Sequence, residues 1–121
     1  MCNVNEETKK IRDLFHTDEF DSFYESLDER TVSKFDEAIL YIETIHVLST
    51  KFVKKIANTN LYEMRVSVGF NEYRTVIFAT DHDNVIQSTK IVLLNAFLKK
   101  SSKDYDKQVK RAINILKTLE L

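Results

Sequence analysis

The sequence predicts an α+β fold in which helices cover one face of a small, mainly antiparallel sheet. The stretch from Leu61 to Lys100 alternates apolar and polar residues with the period of two that is typical of strands. The segments on either side of it carry apolar residues at helical spacing. The chain has 121 residues, of which 43% are hydrophobic, and this is enough for one core. We therefore expect a single domain over residues 1–121.

The alternating stretch predicts three consecutive antiparallel strands. Gly69, the only glycine of the chain, can adopt the positive φ of a tight hairpin, so a turn over 69–71 is expected to join the first two. A run of turn-forming residues, 81–84, precedes a third strand over about 86–97. A weaker alternation over 9–15 is compatible with a fourth strand. The apolar face of the first hairpin strand consists of Tyr62, Met64, Val66 and Val68.

Helices are expected before and after these strands. A helix capped by Thr17 or Asp18 and a second one capped by Thr31 should form a hairpin whose apolar side covers the sheet. A short basic helix is predicted over 51–57, and a closing helix begins at Ser101 or Ser102. The apolar stripes are Phe20, Phe23, Tyr24 and Leu27 in the first helix, Phe35, Ala38, Ile39, Ile42 and Ile45 in the second, and Tyr105, Val109, Ala112, Ile113, Leu116 and Leu119 in the closing one.

Charge is distributed unevenly along the chain. Residues 1–43 hold 5 Lys/Arg against 12 Asp/Glu, whereas residues 44–121 hold 13 against 7. A basic sheet half is compatible with phosphate binding, and equally with a solvated surface of both signs. The single cysteine, Cys2, excludes an internal disulfide, no Cys/His cluster has metal-ligand spacing, and no apolar run approaches the length of a membrane span. We expect a soluble cytoplasmic protein without a metal or other cofactor.

Arg65 and Arg74 are the sheet residues best suited to bind phosphate. Guanidinium groups stay charged and bind phosphate oxygens in bidentate fashion. With a three-residue loop at 69–71, the two arginines are neighbours across the ladder without being direct partners. A bulge in the loop would shift the register by one and place both on one face, away from the helices. The sequence leaves this register open, and surface ion pairs with Glu63 or Glu72 are the alternative role.

The hairpin also carries a family resemblance. The segments LYEMRV (61–66), NEYRTVIF (71–78) and LLNAFLKKS (93–101), followed by a terminal helix, resemble the toxins of bacterial RelE/ParE-type toxin–antitoxin modules, most closely the HigB-like, phage-associated branch. The resemblance covers roughly residues 52–121. It implies a RelE/ParE-like fold, with an N-terminal helical hairpin and a C-terminal helix around a three- to four-stranded sheet.

The resemblance also implies an RNA-cleaving site. Arg74 lies where RelE-type nucleases keep an arginine that contacts the scissile phosphate, and Arg65 lies where they carry a basic residue. Glu63 is a departure, because the ribosome-dependent branch has a lysine there. The further catalytic candidates, as base or acid, are Glu63, Lys99, Lys100 and His82, and the candidate RNA contacts are Lys54, Lys55, Asn95 and Lys103.

The implied activity is that of a metal-independent endoribonuclease, an mRNA interferase. The ribose 2′-hydroxyl attacks the adjacent phosphorus, a base accepts its proton, cations stabilise the developing charge and an acid protonates the leaving oxygen. In the family this reaction takes place in the translating ribosome, so the implied partners are the ribosome, its messenger RNA and an antitoxin of helix-turn-helix type encoded next to the gene. The alternatives are a ParE-like toxin that binds DNA gyrase and a catalytically inactive RelE-like binding protein.

Overall fold

The structure is a computed structural model that describes residues 9–119. Its strands and helices confirm the predicted α+β class. Within the described residues, no helix combines the length and the apolarity that crossing a membrane requires. In chain order, the elements are β1 (Asp13–His16), α1 (Asp18–Glu25), α2 (Glu29–Thr44), β2 (Val53–Lys55), β3 (Tyr62–Val68), β4 (Asn71–Ala79), β5 (Lys90–Leu98) and α3 (Ser102–Thr118).

Five strands form one sheet in the order β1-β5-β4-β3-β2. β1 runs parallel to β5, and the other neighbouring pairs are antiparallel. The expected three to four strands are too few, because residues 51–57 contain β2 and not a helix. Val53 pairs with Met64 and Lys55 pairs with Tyr62. The apolar spacing in this short segment fits a helix as well as a strand, and pairing with β3 decides between them.

β5 begins four residues later than the expected start of the third strand at 86. The Asp81 carboxylate holds the preceding loop closed. It accepts hydrogen bonds from the Ser88 hydroxyl at 2.5 Å, the Thr89 N–H at 3.0 Å and the Lys90 N–H at 3.2 Å. The backbone therefore cannot join the ladder before Lys90.

The helix N-termini are fixed by capping side chains. Thr17 caps α1, as predicted, and Ser101 caps α3 by accepting the Asp104 N–H at 3.1 Å. Asp28, and not Thr31, caps α2, because its carboxylate accepts the Thr31 N–H at 2.8 Å. α2 therefore begins three residues earlier than a Thr31 cap would allow.

Helices cover both faces of the sheet, so the expected single helical layer is wrong. α1 and α2 pack against Met64, Val66 and Val68, which confirms the predicted role of the helical hairpin. α3 packs on the opposite face, where apolar residues of β4 and β5 need a cover of their own. Ile45, expected in the buried stripe of α2, follows the end of that helix and is 44% exposed.

A buried arginine ties the start of the sheet to α2. Arg12 is 1% exposed. Its guanidinium donates hydrogen bonds at 2.6 to 2.8 Å to the carbonyl oxygens of Ile42, Ile45, His46 and Ile86. The first two lie at the C-terminus of α2, where carbonyls lack helical partners and favour a cation. Burial lowers the pKa of Arg12. Nothing in the sequence pattern indicated that this arginine is structural.

Candidate functional site

The β3–β4 hairpin determines where the two arginines lie. Its loop has two residues, Gly69 and Phe70, and not the three expected over 69–71. Gly69 has a φ of 60°, the positive value that the first position of a type II′ turn requires. Of the two registers that the sequence left open, the structure has the one that puts Arg65 and Arg74 on one face, and they are direct partners.

The two arginine side chains are held close together. The backbone N–H of Arg65 points away from β4, toward β2, and donates a hydrogen bond to the Phe52 carbonyl at 2.8 Å. Arg65 and Arg74 therefore form a non-hydrogen-bonded pair, the arrangement in which Cα atoms lie about 4.5 Å apart and side chains are closest. Because like charges directly opposite each other destabilise a sheet, this position needs a neighbouring anion.

Glu63 is that anion. One carboxylate oxygen, Oε2, accepts a hydrogen bond from Arg65 Nε at 2.6 Å and lies 3.3 Å from Arg74 Nε. The other, Oε1, accepts the hydroxyl of Tyr105 from α3. Glu63 itself is 4% exposed. We call these four residues, Glu63, Arg65, Arg74 and Tyr105, the Glu63 cluster.

Tyr105 acts in the cluster as a hydrogen-bond donor. Burial raises the pKa of its hydroxyl well above the ordinary value, the hydrogen bond and charge of Glu63 raise it further, and Arg74 and Arg65 act in the opposite direction. The hydroxyl therefore stays protonated at neutral pH. The sequence placed Tyr105 only on the apolar stripe of the closing helix, and its ring does pack edge-on against Phe97. The signal that was missed is that a buried tyrosine hydroxyl needs a polar partner.

Arg74 is enclosed, whereas Arg65 reaches solvent. The Arg74 side chain is 6% exposed and that of Arg65 is 30% exposed. Arg74 Nη1 donates to the Tyr73 carbonyl at 2.9 Å and lies 3.3 Å from Glu72. A hydrogen bond from Ser67 lowers the pKa of Glu72, and Arg74 and Lys99 lower it further. The expectation that both arginines lie on a face away from the helices is corrected, because α3 covers that face.

A basic groove opens beside the Glu63 cluster, between β2–β3 and the first turns of α3. Its volume is about 700 Å³. Five of its lining side chains are cationic and two are carboxylates, so it favours a polyanion. The charged and polar residues of the groove are Lys54, Lys55, Asn58, Glu63, Arg65, Lys99, Ser102, Tyr105, Asp106 and Lys110.

A smaller cavity of about 420 Å³ lies at the edge of β3, on the side of α2. Arg65 and Arg74 line it as well, together with Lys34, Glu37, Lys51 and Glu72. Tyr41 and Phe52 contribute an edge-on ring pair with centroids 5.3 Å apart, and Phe52 is 47% exposed. This edge cavity therefore offers an aromatic wall that a side chain of a partner could contact.

The hairpin, the Glu63 cluster and the basic groove all lie within the part of the chain that matches a known family. The family of phage-derived Gp49-like proteins (DUF891) matches residues 22–117, which extend from α1 to the end of α3. The chain belongs to this family. Gp49-like proteins are associated with toxins of the RelE type. No similar protein of curated function and no similar solved structure was found.

In this Gp49-like protein, the groove brings together only part of the predicted site. Lys54, Lys55 and Lys99 line it beside the cluster. Lys100 and Lys103 are exposed but lie outside its lining. His82 follows β4, whose last residue is five positions beyond Arg74, roughly 17 Å along the strand. The His82 Nδ1 accepts the N–H of Asn84 at 3.1 Å within its own loop.

Asn95 lies under α3 of the Gp49-like chain and not in its groove. It is 2% exposed, and its amide donates to the carbonyl and the side chain of Gln108, both at 3.2 Å. These contacts give Asn95 a role in joining β5 to α3. Over residues 9–119, no group of three or more His, Cys, Asp or Glu side chains is arranged to hold a metal ion.

Proposed function

We propose that this Gp49-like protein is the toxin of a type II toxin–antitoxin module and that it cleaves messenger RNA in the ribosome, as HigB-like mRNA interferases do. The observation that carries the proposal is the basic groove with a carboxylate, a half-buried guanidinium and a tyrosine at its side. Cationic side chains along a groove bind a phosphate backbone independently of sequence. The association of Gp49-like proteins with RelE-type toxins supports the same function.

The groove offers a residue for each step of phosphodiester cleavage. Glu63 accepts the proton of the ribose 2′-hydroxyl as the O2′–P bond forms. Arg65 stabilises the negative charge that develops on the phosphorus oxygens. Lys99 protonates the 5′-oxygen as the P–O5′ bond breaks, leaving a 2′,3′-cyclic phosphate and a 5′-hydroxyl. Lys100 and His82, which lie outside the groove, have no part in this assignment.

The proposed partners follow from the proposed reaction. The ribosome would supply part of the substrate geometry, so activity on naked RNA should be weak. An antitoxin of helix-turn-helix type, encoded next to the gene, would hold the toxin inactive. The ribosomal target implies that the protein acts in the cytoplasm.

Noncatalytic binding of a protein, such as gyrase in the manner of ParE toxins, is the second candidate. Two observations favour it: Arg74 is enclosed by Glu63 and Glu72, and the edge cavity has the exposed ring of Phe52 in its wall. A protein that acts by binding alone needs neither a free Arg74 nor a base.

Induction of the chain in cells without the adjacent gene separates these functions. Growth arrest with cleaved transcripts is expected, and Arg65→Ala should relieve it. Arg30→Ala is the matched control, because Arg30 is exposed at the start of α2, away from the groove. Arrest with a DNA-damage response and intact transcripts would favour gyrase binding. Arrest that persists in a folded Arg65→Ala protein would contradict the nuclease assignment.

A further inference from the structure

Three donors converge on the Glu63 carboxylate, and one of them is left without a hydrogen bond. Arg65 Nε and Arg74 Nε both approach Oε2, at 2.6 and 3.3 Å, while the Tyr105 hydroxyl takes Oε1. Arg74 Nε lies at ion-pair distance, yet it is buried and makes no hydrogen bond within the described residues. A buried N–H that lacks a hydrogen bond is costly. The Glu63 carboxylate therefore leaves one of these donors, Arg74 Nε, without a hydrogen bond.

A phosphate group matches the same donors more fully. It is tetrahedral and offers more oxygens than a carboxylate, so each of the three side chains can have its own acceptor. Two guanidiniums and a protonated tyrosine hydroxyl also suit a group that carries more negative charge than one carboxylate. We propose that Arg65, Arg74 and Tyr105 form a phosphate-binding site, and that Glu63 is its built-in occupant, which an incoming phosphate displaces.

The site has an entrance and a place for the displaced carboxylate. Glu63, Arg65 and Tyr105 all line the basic groove, so a phosphate in the groove reaches the carboxylate directly. Lys54 is the direct partner of Glu63 across the β2–β3 ladder, and its side chain lies on the same face. The carboxylate can turn from the arginines to this exposed lysine and remain paired.

Occupation by Glu63 makes the affinity of the free protein for phosphate low, because each binding event has to break the pairs of the carboxylate with both arginines. A ligand with further contacts to the groove lysines would overcome this barrier, and a lone phosphate ion would not. The inference rests on the proposed function only in taking RNA as the natural source of the phosphate. The site itself can be tested with inorganic phosphate.

The test is a rescue of stability by phosphate. Glu63→Ala opens the site and leaves the two guanidiniums uncompensated. At a phosphate concentration about tenfold above its Kd, we expect the Tm of this variant to rise by about 3–5 °C relative to chloride at the same ionic strength. The wild-type protein should show a rise of less than about 1 °C at that concentration. Should Glu63→Ala fail to fold in chloride, recovery of the folded protein by refolding in phosphate is the same readout.

Two further variants make the result specific. Glu63→Gln removes the charge but keeps the volume, and phosphate should stabilise it more than the wild type and less than Glu63→Ala. Asp106→Asn removes the other groove carboxylate, which contacts neither arginine, and should respond like the wild type. Equal responses of all four proteins, or a response of Asp106→Asn as large as that of Glu63→Ala, would overturn the proposal. If phosphate stabilises Glu63→Ala but induction of the wild-type chain does not arrest growth, the phosphate-binding site is supported and the nuclease function is contradicted.

Discussion

Arg65 and Arg74 face each other directly across the β3–β4 ladder and share one oxygen of the Glu63 carboxylate. Like charges placed in this way repel each other, and the shared carboxylate offsets this repulsion because it pairs with both arginines. The two arginines are not equivalent in it, because Arg74 is enclosed and Arg65 is open to the groove. Substitutions at the two positions should therefore have different effects.

Removal of Arg74 should mainly reduce stability. Arg74→Met leaves Glu63 with one ion-pair partner in a buried position, which we expect to lower the free energy of unfolding by about 3 kcal/mol. The double variant Glu63→Gln/Arg74→Met should lose at least about 1 kcal/mol less than the sum of the single variants, because the residues contact each other. Urea denaturation in a buffer without phosphate measures all three.

The control for this cycle is the exposed pair of Lys34 and Glu37, which lie 3.5 Å apart on α2. Lys34→Met should change the free energy of unfolding by less than about 0.5 kcal/mol. Additive effects of the Glu63 and Arg74 substitutions would mean that the two side chains are not energetically coupled.

Replacement of Arg12 should be among the most destabilising changes in the protein. Arg12→Met leaves four carbonyl oxygens without their donor, and we expect a loss of about 3 kcal/mol or more of unfolding free energy. Arg12→Lys retains the charge but has one nitrogen in place of the guanidinium fork, so it should lose an intermediate amount. Arg30→Met, at an exposed position, should change it by less than about 0.5 kcal/mol. A loss at Arg12 as small as that at Arg30 would contradict the role assigned to the buried guanidinium.

The loop before β5 should confer a pH dependence on stability. Hydrogen bonds from Ser88 and Thr89 hold the pKa of Asp81 well below its ordinary value of about 3.9. A lowered pKa in the folded state stabilises the protein above the unfolded pKa, and this stabilisation is lost as the pH falls through the folded value. Asp81→Asn should lower the Tm by a few degrees at pH 7.

Thermal unfolding between pH 7 and pH 2 checks the sign of this effect. The difference in Tm between the wild type and Asp81→Asn should be constant above about pH 5 and should narrow below about pH 4. Asp83→Asn, in the same loop, is the control. A difference that widens in acid would show that Asp81 does not act through its ionised form.

The sequence was informative where local chemistry decides the structure. The first helix was predicted to begin at a cap of Thr17 or Asp18 and the closing helix near Ser101 or Ser102, because such side chains can bind the first N–H groups of a helix, and the caps are Thr17 and Ser101. The apolar face of β3 was predicted from alternation alone, and the helical hairpin covers it. Membership in the Gp49-like family agrees with the broad resemblance to RelE-type toxins.

The features that the sequence did not reveal depend on contacts between distant segments. β2 forms because β3 lies beside it, and Arg12 is buried because four carbonyls from two other segments surround it. The register of Arg65 against Arg74 depends on one residue of loop length, which composition does not determine. Tyr105 joins the site only because α3 crosses the face opposite the helical hairpin.

The position of β1 has a consequence for biosynthesis. Residues 13–16 leave the ribosome before the other strands of the sheet, yet their partners are residues 90–93. The N-terminal strand has no place to dock until most of the chain has been translated, so its ladder closes late. A chain interrupted before β5 would lack the strand that pairs with both β1 and β4, so the five-stranded sheet could not form.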